Sequence, residues 1–269
     1  YKIKQYDRNQ IISSFSNILL DHFPKRIIKA NIKHFYESID FERLYNTLDK
    51  DWLLSHLSRN LIKEIISQYR IASWSSLGLP RWLGISAYLS ELYMRDFDNY
   101  MRQMSGVYYY ARYVDDIVLI TMDNQLNYLS QMRKFLSKKA LELNMSKYKC
   151  SNVPEKKDRA HFSWSVDYLG YCLRYNLGDF SLDLSSEKIK KYKEKIDVAF
   201  KDYLSSHHHE KPAKNLLIKR IRYLTHNTRL FGKKSNVVVG ISSSNKYITG
   251  NLGLSELDDY LGTKIATLP

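Results

Sequence analysis

Cysteine is nearly absent from this chain: Cys150 and Cys172 are the only two in 269 residues, and neither has His or Cys at metal-ligand spacing. That excludes a disulfide scaffold and a cysteine-based zinc site, and both read as buried free thiols of a reducing compartment. Long apolar runs are missing too. No stretch approaches the roughly 18 to 20 residues that cross a bilayer, and the start resembles no signal peptide, so a cytoplasmic protein without a membrane partner is expected. Acid is in short supply: 28 Asp and Glu against 42 Lys and Arg leave a formal charge of +14. Such an excess points to a polyanionic partner, nucleic acid before an anionic membrane. The chain also lacks an initiating Met and stops on Leu268-Pro269, as a piece of a longer protein does. With 44% hydrophobic residues it has enough apolar material for a compact catalytic body and a smaller appendage.

Hydrophobic spacing predicts a helix over 1–26, a strand over Ile27–Phe35, and helices beginning at Asp40, at Asn60 and at Gly84. Gly106 then turns the chain into two short β-forming runs, Tyr108–Arg112 and Ile117–Thr121, and a helix is expected over Asn124–Leu143. Val166–Arg174 and Phe180–Leu184 read as a strand pair around the turn Asn176–Asp179. Lys-rich helices over Glu187–Leu204 and Ala213–Thr228 follow, joined by a polar linker whose His207–His209 run reads as solvated loop. This order predicts an α+β fold with a ferredoxin-like antiparallel sheet, then a basic helical region.

Between the two central runs lie adjacent carboxylates, Asp115 and Asp116. Neighbouring side chains on an extended strand point to opposite faces, so both acids address one cleft only at a turn. Burying a hairpin with an uncompensated acid pair costs roughly several kcal/mol, which favours a divalent-metal platform over an ordinary Asp-Asp turn.

Tyr113-Val114-Asp115-Asp116 resembles the YxDD box of reverse transcriptases, and other strings follow in that family's order. Asn31-Ile32-Lys33-His34-Phe35-Tyr36 is similar to the motif in which an Asp precedes Ile-Lys and two aromatics. Ser76-Leu77-Gly78-Leu79-Pro80 with Ser86 resembles the Gly-Leu-Pro loop and helix. Leu143-Asn144-Met145-Ser146-Lys147 and Asp167-Tyr168-Leu169-Gly170-Tyr171 resemble the two motifs after the hairpin, the second of them a Leu-Gly-Tyr primer-grip hairpin. The resemblance implies a right-hand polymerase: the end of the fingers over 1–30, the palm with remaining fingers elements over 31–184, and a thumb-like region over 185–269. It implies two Mg²⁺ ions about 4 Å apart, with Mn²⁺ as a substitute, held by Asp115, Asp116 and residue 31. It also implies a dNTP pocket made by Ile32, Phe35, Tyr36, Gly78, Ser86 and Lys147. Tyr36 would exclude a 2′-hydroxyl, and Lys147 would meet the triphosphate. Primer and template would lie along Trp82, Tyr113, Leu169, Gly170, Lys191 and Lys195. Trp82 replaces the usual Gly, and an indole there fills space that a template base needs.

Position 31 departs from the family in a second way, because Asn supplies no charge to bridge two cations. Three readings stand: a deliberate Asp-to-Asn change, a natural non-catalytic relative, or compensation by Glu37 or Asp40. Asp40 directly precedes Phe41-Glu42-Arg43-Leu44 and suits a helix N-cap. Within the family, Gly84–Met94 and the Tyr-rich approach to the acid pair resemble the bacterial abortive-infection and defence-associated branch, the B-type subunit of type 3 systems in particular. That resemblance implies DNA synthesis in anti-phage defence, untemplated, protein-primed or templated, with an RNA template or non-coding RNA, a DNA product, dNTPs, and assembly into homo- or hetero-oligomers. The alternative is a catalytically silent scaffold of the same fold that binds RNA.

Overall fold

The computed structural model describes residues 7–50, 54–75, 77–81, 83–122, 127–206, 211–229 and 238–268. The expectations for Ser76, Trp82 and His207–His209 lie outside these residues. The chain opens with helix α1 (Arg8–Leu20) and forms two compact units, one gathering the residues up to Ile11 with His22–Lys156, the other Ile12–Asp21 with Lys157 onward.

In the first unit the elements run β1 (Lys25–Asn31), α2 (Phe35–Ser38), α3 (Phe41–Lys50), α4 (His56–Ser73), α5 (Gly84–Gln103), β2 (Val107–Tyr113), β3 (Asp116–Thr121), α6 (Tyr128–Lys138) and β4 (Lys149–Val153). The four strands form one antiparallel sheet in the order β2-β3-β1-β4, the ferredoxin-like arrangement expected from the sequence. Alternation of side chains divides its faces. Ile28 and Ala30 of β1, with Ile117 and Leu119 of β3, join a core with Leu44 and Leu48 of α3, Leu92 and Phe97 of α5, and Met132 and Leu136 of α6. Asn31, opposite Asp116 in the register, therefore belongs to the face turned away from those helices.

Local chemistry sets the helix boundaries. The Asp40 carboxylate accepts from the Arg43 N–H at 3.2 Å and caps α3, as its position before Phe41 suggested. The side chains of Ser55 and Asn127 accept from Ser58 and Ser130 at the starts of α4 and α6. β1 stops at Asn31 rather than continuing to Phe35. His34 sits in the left-handed region at φ 45° and reverses the chain into the short helix carrying Phe35 and Tyr36. The helix expected over Asn124–Leu143 ends at Lys138, where Ala140 turns left-handed and the Leu136 carbonyl takes two backbone donors, from Lys139 and Leu141. Cys150 lies on β4, at the sheet's edge, and is exposed rather than buried; Cys172 is buried as expected.

The second unit contains a three-stranded meander, β5 (Trp164–Tyr168), β6 (Tyr171–Asn176) and β7 (Asp179–Leu184). The apolar run read as one strand over Val166–Arg174 is thus two strands folded about Leu169-Gly170. Buried Arg159 donates to the carbonyls of Leu19 and Asp21 and to the Tyr175 hydroxyl, which ties the end of α1 to the meander. Helices α7 (Ser186–Ser205) and α8 (Lys211–Thr225) follow. A further helix, α10 (Leu252–Ala266), packs on α7 after the short α9 (Ile241–Ser244) and was not anticipated. Among the described residues no helix is long and apolar enough to cross a membrane.

Candidate active site

The hairpin β2–β3 turns through two residues, Val114 and Asp115, with Tyr113 paired to Asp116. Val114 has φ 58°. In two-residue hairpins that place is usually Gly, and holding an L-residue there costs about 1–2 kcal/mol. The turn sends both carboxylates to the end of β1. The Asp115 carbonyl accepts from the Ile32 N–H at 2.9 Å, and the Asn31 carbonyl accepts from the Asn144 N–H at 2.7 Å. Two backbone bonds thus lock hairpin, strand end and the segment before β4 together.

Asn31, 3% exposed, is at the centre. Its amide Nδ2 donates to Asp115 Oδ2 and to Asp116 Oδ1, both at 2.9 Å. The three residues singled out as metal ligands therefore converge. Burial holds the Asp116 carboxyl above its ordinary range, the Asn31 hydrogen bond opposes that rise, and Asp115 reinforces it, while Lys29 and Lys147 draw it back down. Asn31 bridges the two acids through its amide hydrogens.

Beside the acids lies a cleft of about 400 Å³ whose walls include Tyr36, Arg81, Asn144 and Lys147. Lys33 and His34 line it too, so one small cavity holds the Asp115 carboxylate together with Lys33, Arg81 and Lys147. That is the charge distribution a metal-bound triphosphate requires. Tyr36 packs edge-on against Phe35, with ring centroids 5.5 Å apart. The Gly78 loop docks onto the same helix: the Gly78 N–H donates to the Ile39 carbonyl at 2.9 Å and the Leu79 N–H to the Tyr36 carbonyl at 2.8 Å. A Cβ on Gly78, at φ 101°, would lie 3.1 Å from the Glu37 backbone. Gly78 thus bears on the cleft through Tyr36 and is not among the residues that line it.

Other predicted residues fall elsewhere. Ser86 is buried at the start of α5, its hydroxyl has no hydrogen-bond partner among the described residues, and it does not line the cleft. Tyr113 is exposed at the end of β2. Leu169, Gly170, Lys191 and Lys195 belong to the second unit, where Lys191 pairs with Glu187 at 2.6 Å and Lys195 lies over the Tyr192 ring. Glu37 pairs with Arg81 at 2.5 Å, outside the cleft-lining set, and Asp40 is committed to its cap.

A cluster behind the hairpin escaped the sequence reading. Arg112 of β2 is buried and meets Glu91 and Asp98 of α5 at 2.7 and 2.8 Å. Tyr110 donates to Asp98 at 2.6 Å. Burial weakens a guanidinium's hold on its proton, but the hydrogen bonds and charge of Asp98 and the charge of Glu91 more than offset this and leave it raised. Burial, then the charge of Asp98, pushes the Tyr110 hydroxyl well up. A charged residue inside a buried strand, with two acids seven apart on the helix before it, was the available signal.

The donor set accommodates a divalent ion on Asp115 and Asp116; Asn31 turns its amide nitrogen to them, and its carboxamide oxygen would serve as a neutral third donor only after the amide flips. It is one negative charge short of the trio that bridges a pair of ions. Among the described residues no group of three His, Cys, Asp or Glu side chains comes together, because Asn occupies the third place.

The fold and the acid hairpin define a right-hand polymerase palm. Residues 11–173 match the family described as reverse transcriptase (RNA-dependent DNA polymerase), and the chain belongs to that family. A search of curated proteins finds no match by sequence. Similar solved structures include apo telomerase from Candida tropicalis truncated from its C-terminal domain, with 13% identity, a TM-score of 0.48, and coverage of 67% of this chain and 40% of that one. Another is telomerase from Candida albicans in complex with a fragment of telomeric RNA, with 16% identity, a TM-score of 0.44, and coverage of 99% and 45%. The chain thus spans less than half the length of these two proteins, and likeness at this level supports no functional step.

Proposed function

We propose that this chain carries the nucleotidyl-transfer centre of a reverse transcriptase that adds dNTPs to a 3′ end, with Asp115 and Asp116 as metal ligands and Asn31 in the third ligand's place. The observation that carries the reading is one cleft lined by Asp115 and Asn31 together with Lys33, Arg81 and Lys147, with Asp116 joined to it through the Asn31 amide. Bound Mg²⁺, or Mn²⁺ in its stead, would activate the attacking 3′ oxygen and neutralise the triphosphate. The protein's own groups do the rest. Lys33 and Arg81 meet the phosphates, Tyr36 closes the space beside the sugar C2′, and Lys147 Nζ meets the charge that develops on the departing pyrophosphate. The basic helices after residue 185 supply a diffuse field for the nucleic-acid backbone, with Lys191 and Lys195 on α7 and Leu169-Gly170 as the primer-side turn. The strings over Gly84–Met94 and before the acid pair support anti-phage defence as the setting, in the bacterial cytoplasm and within an oligomer that binds RNA.

A second reading has its own observation. Asn31 donates a hydrogen bond to each carboxylate, so it ties the acid pair where a third carboxylate would repel it. That favours a polymerase-shaped, silent RNA-binding scaffold. Metal-dependent primer extension on the native chain and on Asn31→Asp decides between them. A rise of about a hundredfold in the Asn31→Asp variant, the effect typical of one restored charge stabiliser, supports the polymerase centre. Two inert proteins that retain RNA binding establish the scaffold.

A further inference from the structure

Arg112 has a bonding pattern that a core ion pair does not need. Its Nε donates to Asp98 Oδ1 at 2.9 Å, Nη2 to Asp98 Oδ2 at 2.8 Å and to Glu91 Oε2 at 2.7 Å, and Nη1 to Glu91 Oε1 at 3.0 Å. The last N–H, also on Nη1, reaches past both acids to the Val114 carbonyl at 2.8 Å. All the donors of the guanidinium fork are used, a geometry that an ammonium cannot reproduce. Glu91 and Asp98 stand seven residues, about two turns, apart on one face of the 20-residue α5, so the fork is clamped from both sides. Tyr110 holds the Asp98 carboxylate from below.

The fifth bond falls on the residue that needs support. Val114 is β-branched and left-handed, and its carbonyl precedes the peptide of Asp115. On the other side of that peptide the Asp115 carbonyl is held by Ile32. We propose that Arg112 is the positioning residue of the acid hairpin: by gripping the Val114 carbonyl it refers the turn to the rigid α5 helix and sets where Asp115 and Asp116 stand against residue 31. This deepens the polymerase reading and rests on it for its purpose, though not for its geometry. Arg112 touches no substrate and acts through the turn.

The test compares the parent, Arg112→Lys, Val114→Gly and the double variant. Amide hydrogen exchange is followed in the native background, and Mn²⁺ binding, read by electron paramagnetic resonance, in the Asn31→Asp background. Arg112→Lys is expected to accelerate exchange at Asp115–Ile117 about tenfold relative to the rest of β2, β3 and α5, and to weaken Mn²⁺ binding by a similar factor. Val114→Gly, which removes the strain that Arg112 supports, is expected to restore both in the double variant. Uniform acceleration across β2, β3 and α5 with no rescue by Gly overturns the proposal and leaves Arg112 a core tie. Unchanged exchange at the tip overturns it too. Should Arg112→Lys fail to fold, Glu91→Ala loosens one side of the clamp with Asp98 still paired, and the same rescue by Val114→Gly is required; its absence overturns the proposal. Neither readout needs polymerisation, so a chain silent in primer extension that shows the rescue loses the polymerase reading and keeps this one.

Discussion

Two kinds of tight turn in this molecule use the left-handed region differently. At Leu169-Gly170 and Leu177-Gly178, between the strands of the second unit's meander, both central residues have positive φ, the pattern that matches strand twist and that Gly makes easy. At Val114-Asp115 no Gly is present, and a β-branched residue takes the unfavourable place. Each meander turn places a Leu and a Gly in the left-handed region, so one of its two positions is free of Cβ strain. The acid turn takes its support from elsewhere in the first unit, from Arg112 and from the acids of α5 that hold Arg112. A turn with Gly at one of its two positions needs less support from outside, whereas a turn that aims two carboxylates without one is held by a buried scaffold.

The comparison breaks most sharply at the clamp. Arg112→Ala leaves Glu91 and Asp98 with uncompensated charge in a buried setting and is expected to lose about 3–5 kcal/mol. Thermal unfolding would show a midpoint roughly 10 °C lower, and a loss under about 1 kcal/mol would mean that solvent already screens the acids. At the meander, Gly178→Val places a β-branched residue at φ 90° with its Cβ 3.2 Å from the Arg159 carbonyl. About 1–3 kcal/mol should disappear in denaturant unfolding, and an unchanged midpoint would show that this turn tolerates what the acid turn needs a clamp to hold.

A smaller effect, with a distinctive sign, is expected at Asn31→Asp. The Asp116 carboxyl is already raised in the fold, so the folded chain binds that proton more tightly than the unfolded one, and this group's contribution falls as pH rises through its folded value. Replacing the opposing Asn31 donor by a third carboxylate raises the group further. The variant should be about 1–2 kcal/mol less stable than the parent near neutral pH without metal, should recover as pH falls, and should gain stability with added Mg²⁺. Melting curves across pH, with and without Mg²⁺, check all three, and a variant indifferent to both would show that the carboxylates do not share one site. The smallest effect belongs to Val114→Gly. Relief of about 1–2 kcal/mol of left-handed strain is offset by glycine's added chain entropy and lost packing, so stability should stay within about 1 kcal/mol of the parent.

Much of the first unit was legible because its strands obey local rules. The runs either side of Asp115 and Asp116 carry the apolar and β-branched residues of a buried sheet, and Asp40 before Phe41 is a plain cap. The reading failed where a side chain's environment was set at a distance. Leu169 is no turn signal by itself, so hydrophobic spacing ran one strand through it, although the Leu-Gly-Tyr resemblance implied a hairpin there, as the pairing shows. Cys150 looked like any buried thiol, because nothing in its neighbours says that β4 is an edge. Ser86 seemed to belong with the nucleotide, yet its hydroxyl is buried at the start of α5. Arg112 passed as an ordinary strand residue, since its partners lie 14 and 21 positions away.

What the chain determined by itself was the set of elements and the kinds of chemistry available: alternating strands, amphipathic helices, a paired acid and an excess of base. These follow from the periodicity and charge of neighbouring residues. Only the tertiary structure decided that Asn31 stands 2.9 Å from both carboxylates and that Arg112 grips the turn between them. Strand order and register bring together groups more than 80 residues apart in the chain, and no local preference encodes that distance.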